Sequence, residues 1–323
     1  MLRHKADSTR WSSRRIDADA VTLPPGNDDI QTSVVIAAYR AEATLPSVLE
    51  MLAPQMGPGR EAILVRSGTD EPAPIRTESW PWLRVISVRE RLLPGPARNL
   101  GAAHARGAML AFLDADTVPC EEWLTRLENA LKADMDAVGG AILNGTPMSR
   151  IGTAEYFLTC SETFPRRPRR IRHAPGSNLL VRSGYFRRVG GFSDELRAGE
   201  DTVLTYPLAR RRRLAFAPEA VVTHSNRTEL RSFLVNQRVQ GAAFVAVSQA
   251  VAYPNDWVCR GPALLLAGPL RLLALARCVL WNPSYVKASA NAFGPLLLGT
   301  IAWALGAFQA RAQSPSQSAH HPR

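Results

Sequence analysis

The sequence lacks most of the features that would mark a stapled, secreted or nucleic-acid-binding chain. Its four cysteines, Cys120, Cys160, Cys259 and Cys278, lie far apart with no paired spacing. That excludes a disulfide framework and a zinc site and fits a reducing compartment. The segment Met1 to Arg15 is charged and has no apolar h-region, so no cleavable signal is read there. Asp7, Asp17 and Asp19 are acids that a mitochondrial transit peptide avoids. The basic clusters carry no interleaved aromatics, and no RNA- or DNA-binding signature accompanies the net charge of +11. Nucleic acid is therefore not an expected partner, whereas nucleotide phosphates and anionic lipid are. No internal repeat or low-complexity segment occurs before the tail that follows Gln313.

What is present is an alternating pattern. A hydrophobic fraction of 46% over 323 residues suffices for one large α/β domain with an appendage. Ser33 to Tyr39 is a β-branched run that predicts a buried strand. A helix follows over Ala43 to Leu52, with Thr44 as its cap and Pro46 in its first turn. Ala62 to Val65 and Leu83 to Val88 are further strands, the first closed by the turn-forming Arg66 to Asp70. Pro94-Gly95-Pro96 is read as a break before a helix over Ala97 to Arg106. Later segments predict a helix over Trp123 to Leu131, strands at Ala137 to Ile142 and Ala174 to Arg182, and a helix over Thr202 to Arg211. Two short strands, Leu214 to Phe216 and Ala220 to Thr223, complete the pattern. Strands alternating with helices imply a mostly parallel sheet covered on both faces, with ligands beyond the carboxyl ends of its strands.

The stretch Met109 to Thr117 ends such a strand in Asp114-Ala115-Asp116. In extended chain, residues two apart point the same way, so the two carboxylates are expected to project together. A hard cation, Mg²⁺ or Mn²⁺, with diphosphate oxygens would relieve their repulsion. An ordinary acidic turn that caps the next helix is the other reading of these residues. Downstream, Gly199-Glu200-Asp201 opens a helix whose dipole favours acids at that end. After about Arg260 the composition turns apolar. Ala292 to Phe308 carries no charge, and Gly261 to Trp281 is leucine-rich with Arg271 and Arg277. These stretches suit helices lying in a membrane interface, or helices packed on the globular domain. The basic runs Arg166 to Arg172 and Arg210 to Arg213 suit a solvated surface or one facing anionic lipid.

Several of these stretches together resemble the family 2 glycosyltransferases. Ser33 to Tyr39 is similar to that family's first strand, Pro94 to Gly101 to its Ala-Arg-Asn-x-Gly segment, and Ala111 to Asp116 to its Asp-x-Asp motif. Gly176-Ser177-Asn178, Val189 to Phe192, Gly199 to Thr202 and Pro218 to His224 follow in the family's order. The resemblance implies a Rossmann-like GT-A fold over residues 31–245. It leaves a disordered leader at 1–30, hydrophobic, membrane-associated helices at 246–312 and a disordered tail at 313–323. It further implies an inverting, non-processive transfer of a sugar from a nucleotide-sugar donor to a lipid-linked, saccharide or small-molecule acceptor, at the cytoplasmic face of a membrane. Asp201 is then the base, with Glu200 orienting it. Asp116, Asp114 and His224 hold a divalent cation, and Ala37, Ala38, Tyr39, Arg66, Arg98, Asn99 and Asp114 line the nucleotide. Arg66-Ser67 departs from the paired acids that many members carry after the second strand, so a uridine donor is not assumed. A nucleotidyltransferase of similar fold would need a glycine/arginine-rich loop after the first strand, which residues 38–46 lack. An inactive membrane scaffold is a third reading.

Overall fold

The computed structural model describes residues 20–22, 29–68, 79–165, 170–251, 259, 261–280 and 282–313. Most of the expected leader, the tail beyond Gln313, Thr69-Asp70 and the basic run Arg166 to Arg169 lie outside the described residues. The chain runs through β1 (Ala20–Thr22), β2 (Thr32–Ala38), α1 (Leu45–Leu52), β3 (Arg60–Ser67), β4 (Leu83–Val88), α2 (Pro94–Ala103) and β5 (Met109–Asp114). It continues through β6 (Thr117–Pro119), α3 (Trp123–Ala130), β7 (Ala137–Asn144), α4 (Arg150–Cys160), β8 (Asn178–Arg182), α5 (Ser183–Val189), α6 (Glu200–Arg210) and β9 (Leu214–His224). Four helices close it: α7 (Leu230–Ala250), α8 (Ala267–Val279), α9 (Pro283–Asn291) and α10 (Phe293–Gln313).

One sheet holds all the strands, in the order β1-β4-β3-β2-β5-β8-β7-β9-β6. Strands β4, β3, β2 and β5 are parallel. They are the continuous apolar runs, buried because helices cover both faces. From β8 onward the sheet is mixed: β8 runs antiparallel to both β5 and β7, while β7 and β9 are parallel. Strand β1, inside the stretch expected to be a leader, pairs antiparallel with β4 and forms that edge of the sheet. The two strands expected around Pro218 are one, β9, with a register shift opposite Gly140/Ala141. A proline cannot donate to a ladder, and such an irregularity is where a strand tolerates one. Helix α2 begins at Pro94 rather than after the prolines, because a first turn has amide positions with no acceptor to meet. Strand β8 starts at Asn178, later than expected, and α6 starts at Glu200, earlier.

Two packing features position the site. Phe112 of β5 lies edge-on to Phe192 with centroids 4.9 Å apart and 5.3 Å from Phe186. This cluster clamps the Gly190-Gly191-Phe192 turn against the central strand, and such ring pairs add about 0.5–1.5 kcal/mol beyond burial. Asn178, fully buried, accepts from Trp123 Nε1 at 2.8 Å and donates to the carbonyls of Ala141 and Ala220. The Gly-Ser-Asn motif thus joins α3, β7, β8 and β9. Helix α10 docks on α7 through a close crossing. A Cβ on Gly241 would sit 1.8 Å from the Trp303 carbonyl oxygen, and one on Gly306 would sit 2.0 Å from that of Arg238.

Candidate active site

The register brings the carboxyl ends of three strands together, with Ala37 beside Asp114 and Ala38 beside Arg66. Beyond them is a small hollow lined by Ala38, Arg40, Glu42, Arg66 and Ser67 among others. Burial lowers the Arg66 pKa, and the charge of Glu42 pulls it back up. The hollow therefore contains a carboxylate after all, contributed by the loop after β2 and not by the end of β3. Sequence reading missed Glu42 because it looked for acids only at the family's usual position. Two guanidinium groups lie over the Tyr39 ring, Arg91 at 4.4 Å and Arg40 at 5.3 Å from its centroid.

Asp114 and Asp116 take different partners. Strand β5 ends at Asp114, and Ala115-Asp116 form the turn into β6, so the period of two no longer applies. The turn is closed by Thr117, whose Oγ1 donates to the Asp114 carbonyl at 2.7 Å and accepts from the Asp114 amide at 3.1 Å. The carboxylates then part. Asp114 Oδ1 accepts from Arg98 Nη2 at 2.6 Å, whereas Asp116 Oδ2 lies 3.8 Å from His224 Nε2. Among the described residues no group of three His, Cys, Asp or Glu side chains is placed to hold a metal. Of the expected trio, Asp116 and His224 face each other, while Asp114 is paired with Arg98.

Pairing of β6 with β9 sets Thr117 opposite His224 and so carries the histidine to Asp116. Its ring is fixed from behind. Asn226 Nδ2 donates to Asn144 Oδ1, Thr146 Oγ1 and the His224 carbonyl, which turns Asn226 Oδ1 toward His224 Nδ1 at 2.9 Å. That oxygen only accepts, so Nδ1 carries the hydrogen. In the neutral ring, Nε2 then presents a lone pair to Asp116. Asp116 Oδ1 is buried with no hydrogen-bond partner. Burial raises the Asp116 pKa and the charge of Asp114 adds to this, against the pull of His224 and Arg227. Two electron-pair donors that face each other beside an unpartnered buried oxygen fit a divalent cation. Mg²⁺-type sites use one or two protein ligands and complete their shell with phosphate oxygens and water.

Arg98 joins this end of the site to the other. Its Nη1 donates to Glu200 Oε1 at 2.6 Å, matching the bond from Nη2 to Asp114. The guanidinium is 4% exposed. Burial opposes its charge, but Asp114 and Glu200 outweigh burial and raise its pKa above the ordinary value. Arg98 was expected to touch nucleotide, but both terminal nitrogens are committed to acids. Asn99 likewise departs from expectation. It is buried and spends its amide on the Phe192 backbone, on both N–H and C=O, and on Asp194. It fastens the turn before α6.

At the start of α6, Glu200 is buried, and burial together with the charge of Asp201 pushes its carboxyl up to about 7 against Arg98. Asp201 is only partly buried. Its Oδ2 accepts from the Gly176 amide at 3.0 Å and its Oδ1 from the Thr202 amide at 2.6 Å. Gly176 also lets the arginine pass close by: a Cβ there would sit 2.7 Å from the Arg98 guanidinium carbon. The arrangement sets one accessible carboxylate, held by two amides, across from the Asp116–His224 pair, with a single arginine bracing both sides.

Comparisons with known proteins bear on the fold. Residues 33–190 match the family model described as Glycosyl transferase family 2. The pre-mycofactocin glycosyltransferase of Mycobacterium tuberculosis is 28% identical over 185 residues, covering 55% of this chain and 38% of that protein. The succinoglycan biosynthesis protein ExoO of Rhizobium meliloti is 29% identical over 208 residues, covering 56% of each. This chain thus spans little more than half, or less, of the length of these curated relatives. The solved mannosyltransferase PcManGT from Pyrobaculum calidifontis, in complex with GDP-Man and Mn²⁺, shares the fold with a TM-score of 0.56. That likeness covers 94% of this chain and 92% of the other at 15% identity. With the sheet, the motif order and the family model in agreement, residues 33–190 match glycosyl transferase family 2, and the chain has the GT-A fold.

Proposed function

We propose that this chain transfers a sugar from a nucleotide-diphosphate donor to an acceptor hydroxyl, with inversion at the anomeric carbon and one addition per encounter. The observation that carries the reading is the Asp114–Arg98–Glu200 bridge, which locks the Asp-x-Asp turn and the Glu-Asp helix start into one cleft. Asp201 takes the acceptor hydroxyl's proton as the acceptor oxygen bonds to the anomeric carbon. The bond from that carbon to the diphosphate breaks, and nucleoside diphosphate leaves on the opposite face. A divalent cation, Mg²⁺ or Mn²⁺, held by Asp116 and His224 would supply positive charge beside the leaving diphosphate. Glu200 fixes the helix start and, through Arg98, the position of Asp114. The hollow at Ala38, Glu42 and Arg66, with Ala37 and Tyr39 beside it, is the base subsite. Its Arg66–Glu42 combination offers both a donor fork and an acceptor.

The chain is further read as lying on the cytoplasmic face of a membrane. Helix α10 is long and apolar enough to span a bilayer by length and composition. One side of it, however, is spent on protein: Gly299, Trp303 and Gly306 are buried. The other side and the neighbouring α8 expose Phe293, Leu297, Ile301, Leu273 and Leu280, the last 70% exposed. A two-sided helix of this kind suits the interface plane better than a span.

The experiment is a panel of uridine, guanosine and thymidine diphosphate sugars, scored by released nucleoside diphosphate with Mn²⁺ or with chelator. Metal-dependent release from at least one donor, lost in Asp116→Ala and Asp201→Asn, is expected. No binding or release with any donor, or full turnover in either variant, would overturn the reading.

A further inference from the structure

A cavity of about 310 Å³ opens beside the candidate base, lined by Gly199 and Thr202, the residues that flank Glu200-Asp201. Its walls are mainly apolar, with Leu158, Val247, Leu275 and Trp303 among them. Into these walls α8 delivers Arg271. One guanidinium nitrogen, Nη2, donates to the Leu158 carbonyl at 2.8 Å, and both terminal nitrogens donate to Gln237 Oε1 at 3.2 Å. The group also lies over the Trp303 ring, 4.8 Å from its centroid.

None of these partners carries a negative charge. Among the described residues no carboxylate forms an ion pair with Arg271, and burial lowers its pKa to about 9 with no acid opposing the effect. The acid among the lining residues, Glu162, is taken by Arg172 and lies 3.8 Å from His173. Two neutral acceptors and a ring face orient a guanidinium but do not neutralise it. A half-buried cation among mainly apolar walls, with no acid beside it, is stabilised when an anion arrives. The fork geometry of arginine matches a phosphate or carboxylate bidentately. Leu273 on the same helix, and Leu266 and Leu280 at its two ends, are exposed, so the cavity borders the apolar face described above.

We propose that this cavity is the acceptor site and that the acceptor is amphiphilic. Its apolar body lies along Trp303 and Leu275, its one anionic group, phosphate or carboxylate, rests on Arg271, and its hydroxyl is presented to Asp201. The assignment of the ligand as acceptor rests on the glycosyl-transfer reading; the anionic-amphiphile site itself is read from the cavity.

Binding to the full chain is measured by calorimetry and tryptophan fluorescence, with decyl phosphate, decanoate and neutral decyl maltoside, each below its micelle concentration. Wild type binds one or both anions about tenfold or more tighter than decyl maltoside, as a charge-assisted contact requires. Arg271→Gln loses that preference, Arg271→Lys recovers part of it, and Arg277→Gln, on the exposed side of the same helix, keeps it. Ala274→Trp, which fills the cavity from an exposed position, loses binding of all three probes and covers the case in which Arg271→Gln does not fold. Equal binding of neutral and anionic probes by wild type would overturn the proposal. So would unchanged anion binding in a folded Arg271→Gln or in Ala274→Trp, or loss in Arg277→Gln. Nucleotide-sugar binding by wild type is scored separately. If it is absent while the Arg271-dependent anion site persists, the glycosyl-transfer reading fails and the site stands.

Discussion

Asp114 and Glu200, 86 positions apart in the chain, accept from the two terminal nitrogens of the same arginine, each at 2.6 Å. Arg98 is the strut between the two halves of the cleft, and its Nε is buried without a partner. Arg98→Met leaves two carboxylates facing each other with no cation between them. Breaking a buried pair in this way costs about 3–5 kcal/mol, so a clear drop in urea midpoint and loss of turnover are expected. Arg98→Lys carries the charge but not the fork, and is expected to recover stability better than activity. Wild-type stability in Arg98→Met would remove the strut role.

The divided aspartates make a separate prediction. Asp116→Asn and His224→Ala are expected to weaken Mn²⁺ binding, and Asn226→Leu to weaken it about 10–100-fold by freeing the imidazole to change tautomer. Asp114→Asn is expected to leave Mn²⁺ affinity within a few-fold, because its carboxylate faces Arg98. A Mn²⁺ titration followed by electron paramagnetic resonance checks all four. Equal losses in Asp114→Asn and Asp116→Asn would contradict the division.

Glu200 links the site to pH. Its ordinary value of 4.5 is raised to about 7 in the folded chain, so between these values the folded state holds a proton that the unfolded state has released. The stability this provides is complete below 4.5 and is lost as pH rises through 7. Glu200→Gln cannot ionise. Its melting temperature is expected to fall less than that of wild type between pH 5 and 7.5, by an amount equivalent to about 3 kcal/mol. Parallel melting curves over that range would show that Glu200 is already ionised at the lower pH.

The parallel core was legible because β2, β3, β4 and β5 are short apolar runs punctuated by turn residues, a pattern that burial on both faces requires. Boundaries were harder where one residue serves two purposes. Pro94 and Pro96 break a helix or start one, and here they start it; Pro218 interrupts a ladder or sits at a bulge, and here it sits at a bulge. Of the site, Glu200-Asp201 open α6, and Asp116 lies 3.8 Å from His224. What was not legible is partner choice. Arg98 was recognised by its motif, yet nothing local says that a residue on α2 spends its charge on acids of β5 and α6. Asn226, two residues beyond His224, and Arg271 act through contacts across 82 and 34 positions, which no spacing rule reaches.

The crossing of α7 and α10 gives the last prediction. Gly241 and Gly306 each lie against the backbone of the other helix, too close for any Cβ. Backbone cannot retreat as a flexible side chain would, so Gly241→Val or Gly306→Val must push the helices apart. Trp303 and Ala307, buried at this crossing, would then lose contacts. Overpacking of this kind costs about 1–3 kcal/mol. Both variants are therefore expected to melt earlier and to release α10 to limited proteolysis. The loss should reach the cavity, because Trp303 forms one of its walls. Decyl phosphate binding should weaken in step with α10 release, while Mn²⁺ binding at Asp116 and His224 stays near wild type. A variant that frees α10 yet keeps full amphiphile binding would show that the C-terminal helices cover the cavity without forming it.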